Sequence, residues 1–212
     1  YQHPNFVDPA KYDQIAPADI TKIAGAPQVD VSGGWFDAGD YLKFTHSAAY
    51  GDVLLYASAR ALGSTAPKSL TNEASYGEQW LDKMWDMSTK TLYSQVGIGS
   101  GNGSDTQDPT FVGDHDIWRL PQVDEHETDP LDRYAAAHRP VFEAAPPGQP
   151  ISPNLAGRTA AAFALAAQVD SRSNTVKPQY DDSESVAPDA MAATKNLREL
   201  LLAAPLGTRY VL

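Results

Sequence analysis

Apolar residues recur at helical spacing in four stretches of the chain, separated by segments without a sustained period. In residues 46–62, HSAAYGDVLLYASARAL, the positions Val53, Leu54, Tyr56, Ala57 and Leu62 fit a helical repeat. Gly63 then stands where a helix C-cap belongs. A second helix is predicted from Leu70 to Trp85, with Ala74, Gly77, Leu81, Met84 and Trp85 on its apolar face and Thr71 or Asn72 as its cap. From Pro153 the segment PNLAGRTAAAFALAAQV is rich in alanine, the strongest helix former, with Asn154 available as a cap. The last helix is predicted over Pro188–Ala203, with proline in its first turn and Pro205 past its end.

Strand signal is weak throughout. Residues 1–33 hold four prolines and read as an extended loop. Residues 88–152 are the least regular stretch, and a loop of that length inside a compact domain is usually functional. Residues 171–187 are polar and read as a loop. No internal repeat or low-complexity tract is present. Helices 46–62 and 153–169 are expected to pack together with Val53, Leu54, Phe163 and Leu165 buried.

Composition narrows the functional classes. Of 212 residues, 42% are hydrophobic and 20% charged, as in an ordinary globular protein. Acidic residues outnumber basic ones 27 to 16, for a net charge of -11. That balance argues against nucleic acid and anionic membrane as partners, since both require a positive face. A neutral polymer is not repelled. The absence of cysteine excludes disulfides and thiolate metal sites. No apolar run approaches the ~20 residues of a membrane helix. The opening residues, Tyr1 to Asn5, are polar and unlike a signal peptide, which does not by itself assign a cytoplasmic location.

The densest chemistry lies in Gly33-Gly34-Trp35-Phe36-Asp37-Ala38-Gly39-Asp40-Tyr41-Leu42-Lys43-Phe44. Two carboxylates three residues apart, with a glycine between them, can turn toward one spot and orient a water. Trp35, Phe36 and Tyr41 would supply apolar walls for sugar rings. An Asp-x-x-Asp turn before a helix is, taken alone, more often a cap or a calcium corner. Other clusters are weaker. Asp124-Glu125-His126-Glu127 and Asp181-Asp182-Ser183-Glu184 read as solvated charged runs. The glycines of 97–103 lack the Lys-Ser/Thr of a phosphate loop and read as a flexible rim. No G-x-S-x-G nucleophile motif occurs.

The full string GGWFDAGDYLKF resembles the signature of family 9 glycoside hydrolases. Residues 73–97, EASYGEQWLDKMWDMSTKTLYSQVG, are similar to that family's next helix and its Tyr-x-Gln-Val-Gly segment. Asp114-His115-Asp116-Ile117-Trp118-Arg119-Leu120-Pro121 resembles its Asp-His-x-x-Trp-x-x-Pro loop. Arg139-Pro140-Val141-Phe142 and the helix from Pro153 follow in family order, although Arg158 stands where many members carry an acid. The resemblance is clearest over residues 29–170.

The resemblance implies an all-α fold, part of an (α/α)6 barrel, and hydrolysis of a β-1,4-glucan with inversion. It makes Asp40 the general base, with Asp37 positioning the water, and gives Trp35, Tyr41, His115 and Trp118 to substrate binding. It implies no required cofactor, a structural calcium whose ligands the sequence does not identify, and a secreted protein. The family's general acid has no counterpart here by motif. Asp114, Asp116, Glu125, Glu127 and Glu143 are the carboxyl groups left to consider. With four helices against the barrel's six hairpins, the chain reads as part of a domain. The alternative expectation is accordingly a half-barrel that binds β-glucan with little or no turnover, or one that needs self-association or a companion segment.

Overall fold

The computed structural model describes residues 4–6, 21–22, 28–38, 40–99, 113–120, 123, 126–132 and 139–169. Three helices form its core: α1 (Thr45–Leu62), α2 (Lys68–Met84) and α3 (Pro153–Val169). Helix α1 lies against both of the others, which touch each other less.

Helix α1 carries no side-chain N-cap. Its start is fixed instead by Thr45, whose hydroxyl donates to the Tyr93 carbonyl at 2.6 Å. It ends as predicted at Gly63, in the left-handed region with φ 53 and its N–H on the Ala59 carbonyl. Ala48, Ala49, Asp52, Val53, Tyr56 and Ala59 form the buried stripe. Leu54 is 47% exposed and faces away from it, contrary to expectation. One residue advances the helix about 100°, so Val53 and Leu54 cannot both point at α3.

Helix α2 begins two residues earlier than predicted, after Pro67, and has no side-chain cap. Thr71 lies inside the first turn, where its hydroxyl bonds back to the Lys68 carbonyl at 3.1 Å. Helix α3 runs as predicted, with Phe163 and Leu165 buried. Asn154 is not its cap but reaches His46 of α1 at 2.8 Å. The small residues Ala156, Gly157, Ala160, Ala161 and Ala164 are all buried and let the backbones approach.

The all-α expectation is too narrow. A small sheet accompanies the helices: β1 (Pro4–Phe6), β2 (Thr21–Lys22), β3 (Lys43–Phe44), β4 (Trp85–Asp86), β5 (Thr91–Val96) and β6 (Val141–Glu143). The order is β2-β1-β6-β5-β3, with β4 also on β5. Lys43 pairs with Val96, and Val96 pairs with Val141. Only β1 and β6 run parallel. Strand β5 escaped the sequence reading because it is buried on both faces except at Ser94, which removes the alternation that marks a half-exposed strand. The remaining strands are two or three residues long. The loop at 171–187 and the helix at Pro188–Ala203 lie outside the described residues.

Candidate active site

The site grows from the junction of β3 with α1 and the far end of β5. Its first element, the Gly-Gly-Trp stretch, is keyed into α2 by two reciprocal contacts. A Cβ on Gly34, where φ is +69, would fall 2.4 Å from the Trp80 ring. A Cβ on Gly77 would fall 2.1 Å from the Trp35 ring. Each glycine is the notch that receives the other segment's indole. Trp35 Nε1 donates to Glu73 at 2.7 Å, and the Tyr76 hydroxyl donates to the Gly34 carbonyl at 3.1 Å. Lys43 holds the same stretch from below, donating to the Val31 and Gly33 carbonyls at 2.6 Å each. Burial, and then the nearby Arg139 charge, push the Lys43 ammonium down to about 8. Trp35 is thus anchored on a helix. With Phe36, Asp37, Phe44, Ser47 and Ala48 it also lines a surface pocket of ≈ 160 Å³.

The turn that follows closes through backbone bonds from Asp37 N–H to the Leu42 carbonyl at 2.8 Å and from Asp40 N–H to the Asp37 carbonyl at 3.2 Å. Ala38 adopts φ 44, a left-handed conformation that costs a non-glycine residue about 1–2 kcal/mol. Asp40 uses both carboxylate oxygens. Oδ1 accepts the Leu42 N–H at 2.8 Å, and Oδ2 meets His115 Nε2 at 2.8 Å. The His115 side chain is 46% exposed and that of Asp40 13%, so the pair opens to solvent on the histidine side. Asp37 lines the adjacent pocket.

The segment carrying His115 and Trp118 lies along the end of β5. Asp114 and His115 donate their N–H groups to the Ile98 and Gly99 carbonyls at 3.0 and 2.9 Å. A Cβ on Gly99 would sit 3.0 Å from the His115 ring, a tight contact. Ile98 and Gly99 thus form the bed of the His115 segment. Residues 100–103 lie outside the described residues. Trp118 is 74% exposed, the most open of the large apolar side chains among the described residues. Tyr41 is enclosed. Its ring meets Phe36 edge-on at 5.2 Å, and the Arg139 guanidinium lies 5.2 Å from its centroid.

Sequence reasoning named several of these groups without their partners. Asp114 accepts the Tyr41 N–H and sits 3.8 Å from Arg139. Arg119 pairs with Asp132 at 2.8 Å and Glu127 at 3.2 Å. Lys43 works through carbonyls 10 and 12 residues back, Arg119 through acids 8 and 13 residues on, and Arg139 beside Asp114 and Tyr41, and no local pattern marks these partnerships.

Three of the carboxyl groups considered as a general acid are held by partners of their own. Asp114 is tied to Tyr41 and Arg139, and Asp116 accepts the Gly113 N–H at 2.7 Å. Glu127 accepts the N–H groups of Thr128 and Asp129 at 2.8 Å each. Those bonds, led by Asp129, and then Arg119 hold it below the usual carboxylate range. Glu143 is buried on β6 opposite Tyr93, and burial raises it. Glu125 lies outside the described residues. Among the described residues no group of three His, Asp or Glu side chains converges as a cation site, and no helix is long and apolar enough to cross a membrane.

The described site is thus a turn that presents Asp40 to His115, with Trp118 exposed three residues further along. The sequence profile of Glycosyl hydrolase family 9 matches residues 7–195, and the chain belongs to that family. Among solved structures, Bacteroides ovatus GH9 is similar with a TM-score of 0.50 and 16% identity, over 90% of this chain and 31% of that one. A single mutant of the thermostable endoglucanase from Alicyclobacillus acidocaldarius gives 0.46 and 22% identity, over 82% and 29%. AaCel9A in complex with cellobiose-like isofagomine gives 0.45 and 21%, over 82% and 29%. The chain spans about three tenths of the length of these solved chains. No curated protein matches the chain.

Proposed function

We propose that this chain forms the base side of an inverting β-1,4-glucan hydrolase site, and that by itself it binds glucan with little or no turnover. The observation that carries the reading is the Asp40–His115 pair at 2.8 Å, beside the exposed Trp118. In inverting hydrolysis a carboxylate activates water on one ring face while a carboxylic acid protonates the leaving oxygen on the other, ~6.5–9.5 Å away. Asp40 takes the base role and Asp37 positions the water. His115 hydrogen-bonds the sugar and Trp118 stacks on it.

The acid is the missing half. A positioned general acid contributes ~10²–10⁴-fold in rate; three of the four described candidates are held by other partners, and the fourth, Glu143, is buried on β6. The half-site therefore needs a carboxyl group from another segment or a second copy, within a complete (α/α)6 barrel. Family membership and the likeness to Bacteroides ovatus GH9 support that architecture. The chemistry needs no cofactor, and a glucan polymer places the action outside the cell. The test is titration of cellohexaose into the chain by calorimetry, together with an assay for released reducing sugar. Measurable binding with turnover at least ~10²-fold below a complete family enzyme is expected. Hydrolysis at full rate by a monomer, unaffected by Asp40→Ala, would overturn the reading.

A further inference from the structure

The His115–Trp118 segment and the aspartate turn are far apart in sequence, yet their relative placement decides whether a histidine meets Asp40. Tyr41, the residue next to Asp40, bridges them twice. Its backbone N–H donates to the Asp114 carboxylate, one residue before His115. Its hydroxyl donates to the Arg119 carbonyl, one residue after Trp118. The two bonds bracket the whole segment that carries the site side chains.

Neither end of the brace is left loose. The Tyr41 ring is fixed edge-on against Phe36, with Arg139 over its face. Arg139 also neighbours the Asp114 carboxylate that accepts the Tyr41 amide. The Arg119 side chain is held by Asp132 and Glu127. A phenol serves here because its rigid ring spans the gap with two torsions, and its hydroxyl donates at the far end. Phenylalanine would fill the same volume and lose only the second bond.

We propose that Tyr41 is a positioning residue, a strut that holds the His115–Trp118 segment in register with Asp40, and not a surface on which sugar stacks. The proposal deepens the site reading above and rests on it for its consequence in binding. Its structural half stands without that reading.

The test is Tyr41→Phe, followed by hydrogen exchange and by the NMR signals of the His115 ring. The Asp114 and His115 amides should exchange about tenfold faster, the scale of one lost hydrogen bond in local opening. Amides of α1 should be unchanged. The His115 ring signals should move toward those of Asp40→Asn, which breaks the pair directly. Cellohexaose affinity should fall several-fold with little change in melting temperature. Unchanged exchange at Asp114 and His115 would overturn the strut. Faster exchange with unaltered affinity would overturn its role in positioning the site. If wild type binds no cellohexaose, the site reading and with it the binding consequence fail, while exchange still decides the strut.

Discussion

The two halves of the site are held by different forces. The Gly-Gly-Trp stretch is packed: two indoles fill two glycine notches on and against α2, and a buried lysine clamps the backbone. The His115–Trp118 segment is tethered. It has few buried apolar contacts, leaves Ile117, Trp118 and Leu120 exposed, and depends on polar bonds to Tyr41, Ile98 and Gly99. Packing is close to all-or-none, since a core cannot absorb extra atoms. Polar tethers are worth about 1 kcal/mol each and can open singly. The proposed base thus follows the packed half, and the side chains proposed to meet the sugar sit on the tethered one.

The largest expected effect attacks the packed half. Gly77→Ala places a methyl group in the Trp35 ring and close to the buried Asp52 carboxylate, 2.9 Å away. Overpacking of this kind costs ~1–3 kcal/mol, with the enclosed Asp52 carboxylate unable to give way while the partly buried Trp35 ring can shift. Urea unfolding would measure it. A loss under about 0.5 kcal/mol would mean that Trp35 is not locked on α2.

The same interface holds a second, pH-sensitive weakness. Asp52 is fully buried on α1, and neither of its carboxylate oxygens has a hydrogen-bond partner. Burial, and then the charge of Glu78, raise it from 3.8 to about 9. The folded chain therefore keeps a proton that the unfolded chain has released. Stability should fall as pH rises from about 4 toward 9, by up to about 1.4 kcal/mol per pH unit, and level off above that range. Asp52→Asn should flatten this slope and gain ~2 kcal/mol near pH 8. Unfolding series at several pH values on both proteins would check it, and equal slopes would refute the assignment.

This contrast also governs how far the molecule could be read from its sequence. Helical spacing located α1, α2 and α3 within two residues, because their packed stripes repeat locally. It misplaced Leu54, since adjacent apolar residues give no sign of which faces the core. Strand β5 was invisible because burial on both faces erased its alternation. Asp40 and His115 were legible through their motifs. The brace between them was not, because Tyr41 and Arg119 are 78 residues apart and a tyrosine beside an aspartate reads equally well as a sugar platform. Asp52 gave no warning either, as a lone acid in a helix ordinarily faces water.

The site itself is tested most directly by calorimetric titration of cellohexaose into wild type and Trp118→Ala. Trp118 is exposed on the tethered half, so its removal should weaken binding by ~1–2 kcal/mol, roughly five- to thirtyfold, with the melting temperature unmoved. Unchanged affinity in Trp118→Ala, above all with a lowered melting temperature, would contradict the account and make the tryptophan a packing residue.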